Sequence, residues 1–366
     1  MRIEKLKSNH FYNYLLLHRL ITYLLVLKYL KRIKEIENKK SDNSIIATYA
    51  FTLNAVGDIR KSIQDEPLTP VFTGGTTSYT YNAQKTRLLS AGSDSFTYDN
   101  EGQLATGYGN TYTFDYEHRL KTISGNFNAE YFYDGNGNRL KATRNGTTTY
   151  YVYDLRGNLI ADTDGNKNIT RYYVHGLGLL SMVTPSDVVY TYHFNNIGST
   201  IAITDSSQNI VNKYRYDPFG VITNQVEAVS QPFKYVGRYG VMAEANGFYY
   251  MVTRYYDSKV GRFISEDTIG FDGGDVNLMR YVGNNPVNFV DPLGLDALGS
   301  DAWVNYGKYG ANYSEFQKPI DVDLRPLVKL GSCFAKCMAL KGVPPPLVLH
   351  GGIEMATHFL KQDIYR

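Results

Sequence analysis

Apolar residues recur two positions apart along most of the chain, each pair followed by a short polar residue. Between Phe51 and Gly220 this phrase occurs nine times: an aromatic residue, any residue, a second apolar residue, then an acid, amide or histidine. We call the last position the anchor. The anchors are Asn54, Asn82, Asp99, Asp115, Asp134, Asp154, His175, Asn195 and Asp217. Their mean spacing of about 20 residues is typical of stacked structural repeats.

The apolar positions of the phrase predict strands. Three residues before the anchors stand Phe51, Tyr79, Phe96, Tyr112, Tyr131, Tyr151, Tyr172, Tyr192 and Tyr214. One residue before the anchor is aromatic in seven phrases, with Leu53 and Val174 in the other two. Because side chains alternate between the two faces of a strand, both apolar residues lie on one face.

The polar positions predict tight turns. Glycine stands three residues after seven of the anchors, and the exceptions are Lys85 and His118. Asp or Asn at the first position and Gly at the fourth is the pattern of a type I turn. Each phrase therefore predicts a strand, a turn and a returning strand, such as residues 138–142 and 158–161. The fold class is all-β, built as a shell of stacked β-hairpin repeats.

The first forty residues have a different character. They contain ten Lys/Arg and three Glu, a net charge of +7, which leaves −4 for the rest of the chain. The Leu-rich segment 10–40 has no Pro or Gly and predicts a helix, so we assign residues 1–44 to a basic helical extension. Its apolar run 20–27 is too short to span a membrane. A signal peptide, a helix lying weakly on a membrane surface and a helix covering a sheet edge remain alternatives.

Charge and composition exclude several functions. A mildly acidic repeat region does not suit nucleic acid, which calls for a basic stripe. The only cysteines, Cys333 and Cys337, precede His350 and His358 in an order near that of a zinc finger, but the last spacing is too long. We therefore favour buried thiols and expect no metal or cofactor. No nucleophilic triad, phosphate-binding loop or nuclease motif is legible in the tail.

A block of motifs follows the repeats: RYYD at 254–257, GRFISED at 261–267, YVGNNP at 281–286 and DPLGL at 291–295. This block resembles the core segment of RHS (rearrangement hotspot) and YD-repeat proteins, a teneurin-like family, and the Tyr-Asp pairs upstream resemble its repeats. The resemblance covers about residues 45–295. It divides the chain into repeats at 45–220, an RHS-associated core segment at 221–295 and a short, mixed, variable tail at 296–366.

The resemblance implies a spiral β-shell plugged by its core segment and enclosing the protein's own C-terminal tail. It also implies that aspartates of the core segment cut the chain after the DPLGL motif. By motif, the catalytic carboxylates would be Asp267 and Asp291, with cleavage following Leu295. The chain departs from the family pattern at Thr268, where many relatives have proline, and at Glu266, where toxin-complex members carry arginine. Asp291 could instead simply open an Asp-Pro turn.

The function that we favour is that of an RHS-type shell protein. Such a protein encloses, processes or displays its own C-terminal segment within a polymorphic toxin system. Such a protein would be secreted or bacterial surface-exposed, with an immunity protein as partner. One alternative is a non-enzymatic surface module that binds glycans or cells through exposed tyrosines. Another is a truncated, inactive relic.

Overall fold

The computed structural model describes residues 33–72 and 74–299, and within them the chain forms antiparallel sheets joined by turns. The first six strands are β1 (Glu35–Lys39), β2 (Ile45–Leu53), β3 (Ile59–Asp65), β4 (Tyr79–Tyr81), β5 (Leu88–Ala91) and β6 (Asp94–Ser95). They make two three-stranded sheets, β1-β2-β3 and β4-β5-β6.

Fourteen strands then pair in chain order to form the main sheet. They are β7 (Thr97–Tyr98), β8 (Leu104–Gly107), β9 (Asn110–Phe114), β10 (Leu120–Gly125), β11 (Ala129–Tyr133), β12 (Arg139–Arg144), β13 (Thr147–Tyr153), β14 (Leu159–Thr163), β15 (Ile169–Gly176), β16 (Gly178–Val183), β17 (Val189–Phe194), β18 (Thr200–Thr204), β19 (Ile210–Tyr216) and β20 (Ile222–Glu227). Because every strand pairs with its sequence neighbours, the sheet is a continuous meander, as the repeat predicts.

The core segment forms the remaining described elements, together with the first residues of the tail, which supply the last strand. Its strands are β21 (Met242–Ala243), β22 (Phe248–Met251), β23 (Arg254–Asp257), β24 (Arg262–Phe263), β25 (Phe289–Val290) and β26 (Leu298–Gly299). Its 3₁₀ turns are Gly237–Tyr239, Gly270–Gly273 and Val282–Asn284. Strands β21–β24 form one sheet, and β25 pairs with β26.

The predicted turns form at the anchors. At Asp134 the backbone N–H of Gly137 donates to the anchor carbonyl over 3.1 Å, which closes the turn. The Asp134 carboxylate accepts from the N–H groups of Asn136 and Asn138, each over 2.9 Å. Gly137 has φ of 87°, a left-handed conformation that glycine adopts without steric cost.

The aromatic residues of the phrase hold adjacent hairpins together. Three residues before the anchors, Tyr112, Tyr131, Tyr151, Tyr192 and Tyr214 are buried. One residue before the anchors, three tyrosine hydroxyls donate to backbone carbonyls of the previous hairpin: Tyr133 to Leu120 over 2.6 Å, Tyr153 to Arg139 over 3.1 Å and Tyr216 to Thr200 over 2.8 Å. The repeat thus combines apolar burial with a ladder of hydrogen bonds between units.

One phrase is displaced by a residue. In β15 the buried ring is Tyr173 rather than Tyr172, and the tight connection pairs Gly176 with Gly178. His175 takes the place of the ladder tyrosine, with its Nε2 atom 2.7 Å from the carbonyl oxygen of Leu159. The prediction of His175 as an anchor is therefore wrong by one position, since the adjacent tyrosines made two registers equally compatible with the sequence.

The core segment covers one face of the main sheet. Phe248 stacks on Tyr112 at a centroid distance of 5.9 Å, and Tyr255 packs on Tyr131 at 5.4 Å. Alternate residues of β22 join two different apolar clusters, with Phe248 and Tyr250 in one and Tyr249 and Met251 in the other. Strands β22 and β23 are therefore buried on both faces.

The prediction of an N-terminal helix is wrong where the structure describes it. Residues 35–39 form β1, which pairs with β2 from Glu35 opposite Ala50 onwards. Ile36 and Asn38 are buried while their neighbours are less so, a period of two that tertiary pairing stabilises over helix propensity. This small sheet shares an apolar cluster with Ile201 of β18. Residues 1–32 lie outside the described part of the chain, within which no helix is long and apolar enough to cross a membrane.

Candidate active site at the DPLGL segment

Three elements of the core segment meet at the DPLGL motif. Arg254 is the first residue of β23, Asp267 follows β24, and Asp291 follows β25. The Arg254 Nη2 atom lies 2.8 Å from Asp267 Oδ2 and 3.3 Å from Asp291 Oδ2. All three side chains are nearly inaccessible to solvent. The structure thus brings together the two aspartates singled out in the sequence, with one guanidinium between them.

Asp291 contacts both amides around the predicted cleavage position. Its Oδ1 atom accepts from the N–H of Leu295 over 2.9 Å and from the N–H of Asp296 over 3.3 Å. The Asp296 nitrogen belongs to the peptide bond that follows Leu295. The carboxyl group therefore stands beside the atom that would leave as an amine on cleavage.

The chain just before Leu295 is held by the turn between β22 and β23. The Thr253 hydroxyl is 2.7 Å from the carbonyl oxygens of both Leu293 and Gly294. Arg254 Nε donates to the Gly294 carbonyl over 2.6 Å. Gly294 has φ of 71°, and a Cβ atom there would lie 2.8 Å from Thr253 Oγ1 and from the Met251 carbonyl. Only glycine fits this close approach without displacement.

Asp267 lies on the carbonyl side of the same peptide bond. A Cβ atom on Gly273 would be 2.9 Å from both Asp267 Oδ2 and the Leu295 carbonyl oxygen, so these two oxygens are separated by no more than twice that distance. They line a cavity of about 310 Å³, which Arg254 and Asp291 also line. This space is large enough to admit water.

Burial makes both carboxyl groups weaker acids than an exposed aspartate. It raises the pKa of Asp291 to about 6, against the lowering effect of Arg254. Burial also raises the pKa of Asp267, again opposed by Arg254, while the nearby Asp296 carboxylate adds to the rise. Since one guanidinium faces two carboxyl groups, one of them can hold a proton near neutral pH.

Sequence reasoning missed two side chains of this site. Arg254 and Thr253 were not singled out, although Arg254 opens the RYYD motif. Glu266 does not join the aspartates, because it pairs with Arg87 over 3.2 Å. Among the described residues no group of His, Cys, Asp and Glu is arranged to hold a metal ion. The cysteines and histidines of the tail lie outside the described residues.

Comparison with known proteins identifies the architecture. A profile of the teneurin YD-shell family matches residues 66–287. This chain belongs to the teneurin YD-shell family. The prediction of an RHS/YD-repeat shell is thereby confirmed, and the all-β meander is the form that this YD-shell takes.

Two curated relatives of the YD-shell chain are a nuclease and a toxin by name. It is 36% identical over 221 residues to the tRNA nuclease WapA of Bacillus subtilis, covering 57% of this chain and 9% of WapA. It is 29% identical over 250 residues to double-stranded DNA deaminase toxin A of Burkholderia cenocepacia, covering 55% of this chain and 17% of that protein. The chain thus spans about a tenth to a sixth of the length of these relatives.

A solved structure shares the fold. The crystal structure of TcdB2-TccC3 superposes with a TM-score of 0.55 at 18% identity, covering 75% of this chain and 18% of the other. At that identity the match speaks for the fold alone.

Proposed function

We propose that this chain is the shell portion of a toxin-type protein and cuts its own backbone between Leu295 and Asp296. Asp267 and Asp291 are the proposed catalytic residues, and the 71-residue tail that follows Leu295 is the segment released. The scissile bond belongs to the same chain as the proposed catalytic residues. The reaction is therefore intramolecular and needs no step that binds a separate substrate.

The observation that carries the proposal is the position of Asp291. Its Oδ1 atom accepts from the N–H groups on both sides of Leu295. An Asp-Pro turn alone explains the bond to Leu295, but it does not require a second buried carboxyl group and a shared arginine. With Arg254 between Asp267 and Asp291, one carboxyl group can be ionised and act as a base while the other is protonated and acts as an acid.

The proposed reaction is hydrolysis of one peptide bond. Ionised Asp267 takes a proton from a water molecule, whose oxygen attacks the Leu295 carbonyl carbon. Protonated Asp291 gives its proton to the Asp296 nitrogen as the carbon–nitrogen bond breaks. The products are a carboxyl group on Leu295 and an amine on Asp296. Arg254 and Thr253 position the chain through the Gly294 carbonyl and stay unchanged.

The biological setting is proposed from the relatives. The deaminase relative is a toxin by name, and WapA is a tRNA nuclease by name. Both support our proposal of a toxin system with a tail of variable activity and an immunity protein as partner. We propose further that this protein is secreted or exposed on a bacterial surface, as its resemblance to RHS proteins implies. The limits of the repeat region, core segment and tail at residues 220 and 295 belong to the same proposal.

Intact-mass spectrometry of three purified chains tests the cleavage. The parent should yield fragments 1–295 and 296–366, whereas Asp291→Asn should stay whole, because the amide keeps the oxygen acceptor but cannot deliver a proton. Asp257→Asn is the matched control. Asp257 is also buried, with a pKa raised by burial to about 6, but its carboxylate accepts from the Tyr108 hydroxyl, away from the DPLGL segment.

Two outcomes would count against the proposal. A folded parent that remains one chain under all conditions would mean that the site is only a turn and plug, as in an inactive relic. Equal cleavage of the parent and Asp291→Asn would remove the proposed acid.

A further inference from the structure

A second cleft lies beside the aspartate cavity, with which it shares Asn277 and Arg280, between the β4 strand and the loops of the core segment. It has a volume of about 490 Å³, within the range of small-ligand sites. One wall carries Tyr79 and Tyr81 with the adjacent Lys85, and the opposite wall carries Lys259, Arg262 and Arg280. Nothing in the proposed self-cleavage uses this cleft.

Four cations line the cleft, and two of them are already paired. Lys259 Nζ lies 2.6 Å from Asp94, and Arg280 Nε lies 2.5 Å from Asp275. Lys85 and Arg262 form no ion pair with another described residue. Arg262 is held in place by hydrogen bonds to the Thr86 carbonyl and to Asn277 Oδ1, so its charge is fixed at the cleft.

One carboxyl group lines the cleft, and it is occupied. Asp217 is a turn anchor whose Oδ1 atom accepts from the N–H of Val221 over 2.9 Å. Burial raises its pKa, and the turn backbone already uses this carboxylate as an acceptor. The lining therefore presents an excess of positive charge that an anionic ligand would balance.

Lys85 stands at a corner where the repeat has glycine. It follows its anchor, Asn82, by three residues and has φ of 59°. A side chain in this left-handed conformation costs roughly 1 kcal/mol relative to glycine. The backbone conformation of the turn therefore does not explain the lysine. Its exposed ammonium group, which lines the cleft, does explain it if the cleft binds an anion.

The tyrosines add a surface that suits a sugar ring. Tyr79 and Tyr81 are 45% and 43% exposed, and as residues two apart on one strand they share a face. Aromatic rings offer apolar area at low entropic cost, and their hydroxyls can exchange hydrogen bonds with a polar ligand. The Arg262 guanidinium lies 5.8 Å from the Tyr81 ring centre, which places charge and ring beside each other.

We propose that this cleft binds an anionic sugar, one that carries a sulfate, carboxylate or phosphate group. The anion contacts Lys85 and Arg262, and a sugar ring lies against Tyr79 and Tyr81. An acidic peptide would use the same cations, but two exposed tyrosines on one face favour a ligand that can pack the C–H-rich face of a sugar ring against them. The inference does not depend on the proposed self-cleavage, and it can fail or hold separately.

Isothermal titration calorimetry on the full chain tests the inference with a sulfated hexasaccharide, a carboxylated one, the neutral form and oligoglutamate. Lys85→Gly removes the charge and installs the residue that this corner favours, so the turn should keep its fold. His118→Gly is the matched control, because His118 is the other non-glycine corner among the anchor turns, with φ of 62°, and does not line the cleft.

The parent should bind an anionic sugar, and Lys85→Gly should weaken that binding roughly tenfold or more while His118→Gly leaves it unchanged. Tyr81→Ala should also weaken it. Equal binding by both glycine variants, equal binding of the neutral sugar, or no binding by the parent would overturn the inference. Oligoglutamate binding that depends on Lys85, without sugar binding, would also overturn it and reassign the cleft to acidic peptides.

Discussion

Two buried charge clusters in this protein have opposite compositions. The first, which we call the arginine cluster, contains Arg139, Arg144 and Glu244, with Glu244 2.6 Å from Arg139 and 2.5 Å from Arg144. The second, the aspartate cluster, contains Asp267, Asp291 and Arg254. One has two cations for one carboxylate, and the other has two carboxyl groups for one cation.

The difference decides whether a carboxyl group can hold a proton. Burial opposes the ionisation of Glu244, but Arg139 and Arg144 outweigh it and lower the pKa to about 2. In the aspartate cluster burial wins over the single arginine, and the pKa of Asp291 rises to about 6. The arginine cluster therefore stays ionised at neutral pH and joins β12 to the core segment by ion pairs. The aspartate cluster, in contrast, retains a group that can donate a proton at neutral pH.

The largest expected effect comes from removing one carboxyl group from the aspartate cluster. Asp267→Asn leaves one carboxylate beside one arginine and removes the proposed base. We expect cleavage to slow by at least about 100-fold, the usual contribution of a positioned acid or base. A time course by intact mass measures the rate. Cleavage within a few-fold of the parent would show that Asp267 has no chemical role.

The next effect comes from breaking the arginine cluster. Glu244→Gln leaves the fully buried Arg139 without a counter-charge, and we expect a loss of about 3–5 kcal/mol in the free energy of unfolding. Urea denaturation followed by tyrosine fluorescence measures it. A loss below about 1 kcal/mol would contradict the conclusion that this cluster stabilises the contact between β12 and the core segment.

A third test uses the pH dependence of stability. The pKa of Asp257 is raised by burial to about 6 in the folded chain, from an ordinary value of 3.8. Below the ordinary value the group is protonated in both states and has no effect. Above pH 6 the buried charge costs up to about 3 kcal/mol. Asp257→Asn should therefore gain stability over the parent as pH rises from 4 to 7, and an equal difference at both ends would contradict this.

The smallest effect is expected at Glu266. Its side chain pairs with Arg87 near the surface, where both are about one-third exposed. Glu266→Gln should change the free energy of unfolding by less than about 1 kcal/mol and leave the cleavage rate within roughly twofold. A large change in the rate would mean that Glu266 belongs to the aspartate cluster after all.

Local chemistry explains what the sequence could predict. The turns at the anchors follow from short polar side chains and glycine within five residues of each other, and they formed as predicted at every anchor except His175. The strand β1 was missed because its pairing with β2 is tertiary. The turns at the opposite ends of the hairpins, such as the one opened by Asp164, carry no aromatic marker and were also missed.

At the candidate site, too, the residues in local motifs could be predicted and those defined by tertiary contacts could not. The motif block identified Asp267 and Asp291, which the fold then places around one guanidinium. Arg254 could not be assigned because its partners are up to 40 residues away in sequence, and no local pattern reports such a contact. The separation of Glu266 from the site was equally hidden, since it depends on Arg87 in a distant hairpin.

The most direct test of the account is the cleavage rate of the parent chain as a function of pH. If protonated Asp291 is the acid, the rate should fall about tenfold for each pH unit above 6, the behaviour of a group with the raised pKa of this carboxyl. Asp257→Asn should follow the same profile. A rate that stays constant or increases between pH 6 and 8 would contradict the account.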